Sequence, residues 1–325
     1  MCCSLGKRFL VFVLLAILRL EAKHAISYEG GDRFGDRLLV YAQARYLAYL
    51  TEIPFLYRPF PYSECITAEH QSRPFDRYKV LCRTVEHLQS AESFREFFRK
   101  IRDPTAPSTL FVVEYFPSDI SEWDWDLSRS LLLHIPWEEV GFSRYLKSCL
   151  SPRIPIPDLT KKNRLNVAVH VRTLSGGDTV ESAYIPLPLK FPTGDYHKRQ
   201  IWKVYEWNLR QPLHVFFFTD SKDPLSILEE FRRDFPEDIE FGIQELEHAD
   251  TDHVVEDFFA MQKFDVLIAT QSNFSAMASR LRTFDMVFYP VHVTGIYPNA
   301  RVDRVQVVSR KSAWFPYALN AIFKE

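Results

Sequence analysis

The amino-acid sequence predicts an α/β protein of two domains, and three observations carry that prediction. Short apolar runs alternate with stretches of helical periodicity, a cluster of prolines breaks the pattern near the middle, and 325 residues suffice for two moderate hydrophobic cores. The composition, 46% hydrophobic and 25% charged, is that of an ordinary globular chain. Forty basic against 42 acidic residues give no electrostatic reason for a nucleic-acid partner, so any bound anion must be held locally. The 27 Phe and 15 Tyr are read first as core material rather than as sugar-stacking platforms.

Residues 1–22 read as a leader. Lys7 and Arg8 precede an apolar run from Phe9 to Leu18, short for a bilayer span and suited to a signal peptide. Ala22 marks a possible end of it, retention as a membrane anchor stays open, and the expected location is exported or membrane-associated. Cys2 and Cys3 lie in this leader. Cys65, Cys82 and Cys149 remain, without CxxC spacing, which indicates neither a zinc site nor a disulfide framework.

The first domain, residues 23–157, opens with a strand over Ala25–Tyr28 and a helix over Asp36–Leu50, where Leu39, Ala42, Tyr46, Tyr49 and Leu50 recur at helical spacing. Between them stands Gly30-Gly31-Asp32-Arg33-Phe34-Gly35. Only ten glycines occur in the chain, so three within six residues are a local concentration. Such a turn brings backbone close to a ligand and presents helix N–H groups to an anion, although a tight strand-to-helix turn needs the same residues.

Pro152, Pro155 and Pro157 cannot continue a helix or pair inside a sheet, and they mark the boundary. In the second domain, residues 158–325, the runs Leu165–Val171, His214–Phe218, Val266–Ala269 and Met286–Tyr289 read as buried strands. Pro224–Phe235, Val254–Lys263 and Phe274–Leu281 read as the helices between them, the order of a parallel sheet with crossovers.

Two segments of this domain carry candidate chemistry. His170-Val171-Arg172 ends the first strand ahead of a loop containing Gly176 and Gly177, and an Arg at that edge offers a fork of donors matched to phosphate oxygens. The competing reading pairs Arg172 with a carboxylate such as Asp178 and buries His170 in the core. The second segment runs from Asp257-Phe258-Phe259-Ala260-Met261 through Val266–Ala269 to Thr270-Gln271-Ser272-Asn273-Phe274-Ser275. Hydroxyls, an amide and a helix N-terminus converge there, as ordinary N-capping by Ser272 or Asn273 also requires. Asp220, after Phe218-Thr219, ends another strand on the same edge. Asp124-Trp125-Asp126 and Asp250-Thr251-Asp252 have metal-binding spelling, but they fall in polar stretches and are read as solvated acids or helix caps.

Together these segments resemble the fucosyltransferase superfamily. Phe34-Gly35-Asp36-Arg37 with the following Tyr41-Ala42 is similar to the Leu/Phe-Gly-Asn-Gln segment of α-1,2- and protein O-fucosyltransferases. His170-Val171-Arg172 resembles their His-x-Arg motif, Phe218-Thr219-Asp220 their second C-terminal-domain motif, and Ser272–Ser275 their Ser-x-Phe-Ser motif, in order across residues 26–290. The resemblance implies a GT-B architecture: two Rossmann-like domains with a cleft between them, the nucleotide held mainly by the second. It implies inverting transfer from GDP-fucose or another nucleotide sugar to a glycan or glycoprotein hydroxyl, with no metal and no further cofactor. The sequence departs from the family at Asp36 and Arg37 in place of Asn and Gln, at Thr173 in place of a second Arg, and at Ala276 and Met277 in place of tryptophans.

On this reading Arg172 and His170 are the catalytic candidates. Gly31, Arg33, Phe34, Gly35, Asp36, Asp220, Ser272, Asn273, Phe274 and Ser275 are the donor-binding candidates. Arg172 would meet charge developing on the departing diphosphate, and Glu29, Asp32, Asp36 and His170 are open as the general base. The alternative is a catalytically degenerate exported envelope protein of the same fold that binds sugar or a protein partner.

Overall fold

The structure, a computed structural model, describes residues 23–114, 137, 139–173, 187–244, 253–294, 301–309 and 323–324. The leader, Gly176, Gly177, Asp178 and both Asp-x-Asp triplets lie outside the described residues. The chain divides into two compact units, Met1–Ser151 and Pro152–Glu325.

The first unit is built on three parallel strands, β1 (His24–Glu29), β4 (Thr84–Leu88) and β5 (Thr109–Glu114), in the order β1-β5-β4. A two-residue pair, β2 (Leu56–Tyr57) with β3 (Arg73–Pro74), stands beside them. Helices α1 (Phe34–Thr51), α2 (Phe75–Lys79), α3 (Ala91–Lys100) and α4 (Val140–Cys149) complete the unit. Helix α1 starts two residues before the sequence reading placed it, because Gly30 (φ 92°) and Gly31 (φ 85°) turn the chain through the left-handed region and release it directly into the helix. A Cβ on Gly31 would stand 2.8 Å from the Arg37 amide nitrogen, so the packing of turn against helix requires glycine there. Helix α3 begins at a reciprocal cap in which Ser90 and Ser93 satisfy each other's backbone N–H groups.

Arg45 lies at the centre of this unit, fully buried and without a carboxylate partner among the described residues. Its Nε donates to Tyr41 Oη (2.8 Å), Nη1 to Tyr145 Oη (2.8 Å) and the Gln71 carbonyl (3.2 Å), and Nη2 to the carbonyls of Ala68 (2.8 Å) and His70 (2.6 Å). Its guanidinium carbon stands 4.0 Å over the Phe55 ring. Five donors used on neutral acceptors and an aromatic face are what let a charge sit there. Cys82 and Cys149 are free thiols.

The second unit contains a seven-stranded sheet in the order β12-β11-β10-β9-β6-β7-β8. Its strands are β6 (Leu165–Val171), β7 (Leu213–Thr219), β8 (Ile239–Ile243), β9 (Val266–Ile268), β10 (Met286–Thr294), β11 (Arg301–Ser309) and β12 (Phe323–Lys324). From β8 to β10 every pairing is parallel, whereas β10, β11 and β12 pair antiparallel. The run read as Met286–Tyr289 therefore continues into a hairpin strand. Pro290, which has no N–H to give the ladder, sits at a register shift. Helices α5 (Leu187–Lys190), α6 (Gly194–Trp207), α7 (Pro224–Asp234), α8 (Val254–Met261) and α9 (Asn273–Leu281) belong to this unit.

The aromatic residues do serve the core. Phe217 and Phe231 meet edge-on at 4.7 Å, and Phe217 stacks on Phe241 at 5.9 Å between β7, α7 and β8. Each such ring, when fully buried, stabilises the fold by about 2–3 kcal/mol. The chain runs from β6 outward through β7 to β8, then returns across the sheet to β9 and β10. That reversal leaves β6 and β9 adjacent with their connections leaving in opposite directions, the topology at which open α/β sheets bind ligands beyond their carboxyl ends.

Candidate functional site

Strand β6 is buried on both faces except at its ends, so its register is set by packing alone, and the first side chain past the sheet edge is Arg172. His170 pairs with Phe218 and Val171 with Thr219, which brings Arg172 and Asp220 level at that edge. The Asp220 carboxylate accepts from the Thr173 N–H (2.7 Å) and hydroxyl (3.1 Å), and its Oδ2 lies 3.7 Å from Arg172 Nε. Asp220 thus supplies a carboxylate beside Arg172, while Asp178, which the sequence offered as a partner, lies outside the described residues.

Across the reversal, β9 runs into the turn Ala269–Ser272 and then α9. Arg172 Nη1 donates to Ser272 Oγ at 3.2 Å. The same hydroxyl oxygen caps α9 by accepting from the Phe274 N–H at 3.3 Å. A guanidinium, a serine hydroxyl and the positive end of a nine-residue helix therefore meet at the strand reversal, an arrangement suited to an anion. Asn273 is the first residue of the helix. Ser275 is fully buried, with its hydroxyl on the carbonyls of Thr270 (3.4 Å) and Ser272 (3.3 Å), so it shapes the turn from beneath.

His170 packs under this edge. Its ring lies 5.5 Å from that of Phe274, and its Nδ1 is 3.4 Å from Thr270 Oγ1. Burial lowers its pKa to about 4, which keeps the ring neutral at physiological pH. His197, on α6, is equally buried, and burial lowers its pKa to about 4 as well, with hydrogen bonds to the backbone of His170 and Thr193 opposing that shift. Phe274 in turn meets Phe258 of α8 edge-on at 5.4 Å. Beside Phe258, Asp257 keeps a buried Oδ1 with no protein hydrogen bond, and burial pushes its carboxyl up to about 7. Sequence reasoning did not single out this burial, since nothing in the spelling of Asp257-Phe258-Phe259 tells a buried carboxyl from a solvated one.

The structure thus gathers Arg172, His170, Asp220, Ser272, Asn273, Phe274 and Ser275 within the second unit. Gly31, Arg33, Phe34, Gly35 and Asp36 form a second group within the first. Arg33 takes the extended N-cap position of α1 without a side-chain cap, and its carbonyl accepts from the Arg37 N–H at 2.9 Å. Phe34 is buried, edge-on to Tyr62 at 6.3 Å, and Gly35 is buried behind it. Asp36 stands in the first helical turn, where a carboxylate interacts favourably with the helix dipole.

Fold and site geometry together define an α/β protein with a phosphate-suited strand reversal. Among solved structures, the chain is similar to a mutant of Arabidopsis thaliana FUT1 in complex with GDP, at 13% identity over 82% of this chain and 70% of that one, with a TM-score of 0.51. Similarity also extends to POFUT1 in complex with GDP-fucose (14% identity, 80% and 94% covered, TM-score 0.42). The fucosyltransferase NodZ from Bradyrhizobium shows 14% identity, 89% and 99% coverage and a TM-score of 0.44. No protein-family model and no curated protein matches the chain. The fold is accordingly the mixed α/β, parallel-sheet fold of GT-B fucosyltransferases, and the likeness at 13% identity is one of fold.

Proposed function

We propose that this chain is an inverting glycosyltransferase that takes a GDP-linked sugar, GDP-fucose first among them, and transfers the sugar to a hydroxyl of a glycan or glycoprotein. The observation that carries the reading is the junction of Arg172 with Ser272 at the amino end of α9, at the strand reversal of the second unit. A diphosphate leaving group gains negative charge as the sugar departs, and preorganised donors held at that point lower the barrier most. Arg172 supplies the guanidinium, Ser272 a hydroxyl and α9 its backbone dipole. Asp220 holds the backbone of Thr173 and steadies the turn next to Arg172. The buried Oδ1 of Asp257 suits the N–H edge of a purine base. His170 acts by packing beneath this edge rather than as a base, since its ring is spent on Phe274 and Thr270. Metal independence and the second-unit placement of the nucleotide follow from the family resemblance. So does donor binding by the Gly31–Asp36 turn, whose Gly31 is also required by the backbone itself. Export or membrane association follows from the leader.

Titration calorimetry in EDTA tests the reading. GDP and GDP-fucose bind and UDP-sugars bind more weakly. Binding abolished by the chelator, or a preference for UDP-sugars, overturns it.

A further inference from the structure

The meeting of Arg172 with Ser272 depends on where the turn Ala269–Ser272 stands, and the sheet itself stops holding that turn at its first residue. Strand β9 pairs with β10 through Val266, Leu267 and Ile268, and the Ala269 N–H then donates to the Phe288 carbonyl at 2.9 Å. In a parallel pair this pattern recurs every second residue, so the Ala269 carbonyl is due an N–H from residue 290. That residue is Pro290, which has none. The missing donor comes from α6. Tyr196, in the first turn of that helix and 1% exposed, donates its hydroxyl to the Ala269 carbonyl at 2.9 Å. Its ring meets that of His197 edge-on at 5.0 Å, which limits where the hydroxyl can go. Further along the turn, the Gln271 N–H donates to the Leu189 carbonyl of α5 at 2.9 Å, and the Ser272 N–H folds back onto the Thr270 carbonyl at 2.8 Å.

A buried phenol hydroxyl needs a partner as much as a buried carbonyl does, so the two are satisfied together only with the turn in this position. We propose that Tyr196 is a positioning residue for the anion site: by replacing the N–H that Pro290 lacks, it sets the height of the Ala269–Ser272 turn at the sheet edge, and so the place at which the Ser272 hydroxyl meets Arg172. This deepens the transferase reading above and rests on it for the identity of the anion, a nucleoside diphosphate. Arg172 reaches the same point from β6, so the two donors are held by separate elements and their spacing is fixed only while both are in place. Without the phenol hydroxyl the ring still fills its site, but the Ala269 carbonyl turns toward another donor and Ser272 moves with it.

The test is a double-mutant cycle on the full chain with Tyr196→Phe, Ser272→Ala and the two combined. It reads GDP affinity by calorimetry, kcat and KM for GDP release from GDP-fucose, and melting temperature. Val204→Ala, at a buried position further along α6, is the stability control. Tyr196→Phe lowers GDP affinity about 2- to 10-fold, the range of one hydrogen bond. It lowers kcat about 10-fold or more, since a displaced donor meets developing charge poorly. In the Ser272→Ala background the same substitution has no further effect on GDP affinity, because Tyr196 acts through that hydroxyl. Val204→Ala lowers the melting temperature comparably and leaves affinity and kcat at their wild-type values. Additive losses in the double mutant, wild-type GDP affinity in a folded Tyr196→Phe chain, or parallel losses in Val204→Ala overturn the proposal. So does a Tyr196→Phe chain that does not fold, since the hydroxyl then serves the core. A wild-type chain that does not bind GDP instead overturns the transferase reading; pyrophosphate then takes the place of GDP in the affinity cycle, and a chain that binds neither overturns both.

Discussion

Replacing Arg172 by Ala removes the Nη1 bond to Ser272 and the 3.7 Å approach to Asp220. Asp220 keeps both of its bonds from Thr173, and Ser272 keeps the Phe274 N–H, so neither partner is stranded. Losing the Ser272 bond costs about 1 kcal/mol, which by itself moves the melting temperature of a chain this size by a few degrees at most. The cost at the site is larger. A charge-assisted bond to a diphosphate contributes about 1.5–3 kcal/mol, so GDP affinity falls about 10- to 100-fold. Losing a donor aimed at developing charge lowers turnover about 10²–10³-fold. Arg172→Lys recovers only part of this, because an ammonium is a point charge that cannot meet two oxygens in the planar fork of a guanidinium. Calorimetry with GDP, GDP release from the sugar nucleotide and a melting curve on the same preparation separate the effects. A folded Arg172→Ala protein with wild-type GDP affinity refutes the assignment. A lowered melting temperature with unchanged affinity marks Arg172 as a supporting ion-pair residue instead.

Gly31→Ala destabilises the chain by about 1–3 kcal/mol, measured by thermal unfolding, because the new Cβ meets the Arg37 nitrogen at 2.8 Å on a backbone with φ 85°. Arg45→Met lowers the melting temperature: it strands the Gln71 carbonyl, at about 1–3 kcal/mol if water does not reach it, and leaves the Ala68 carbonyl to the Tyr41 hydroxyl and that of His70 to the Cys149 thiol. His170 and His197 fold neutral, with pKa values near 4 against an ordinary 6.5. Their contribution is complete above pH 6.5 and is lost as pH falls from there to about 4, at about 3 kcal/mol for each. Asp257, pushed up to about 7, runs the other way, its contribution being lost as pH rises from the ordinary carboxyl range to 7. Melting curves across this range therefore show stability rising with pH, and rising more steeply in Asp257→Asn; a flat profile contradicts the burial of the histidines.

Periodicity alone determined the α/β class and most of the second unit. Leu165–Val171 is a strand over those same residues, and Pro224–Asp234, Val254–Met261 and Asn273–Leu281 are helices within two residues of their expected ends. These segments are legible because burial on two faces writes a continuous apolar run, and because Pro224, Asp223 and Ser272 mark helix starts by local chemistry. Elements whose faces are mixed were not legible. Strand β4 is exposed at alternate positions, and β8 is five residues with Gly242 as its fourth, so neither stands out from loop. The β10–β11 hairpin was missed because a proline lies where the strand continues.

The site divides in the same way. Residue types and their order brought Arg172, Asp220 and Ser272 under suspicion, since each ends a strand or starts a helix. That Asp220 stands beside Arg172 depends on the register of β6 against β7, which neither strand encodes by itself. The burial of Asp257 and the bond from Tyr196 to the Ala269 carbonyl, 73 residues apart, are likewise properties of packed elements. A sequence specifies which side chains point off a strand or cap a helix, because those are local consequences of backbone geometry. Which of them meet, and how dry their surroundings are, is decided by strand order and register, because only the assembled sheet sets the distances over which charges and hydrogen bonds act.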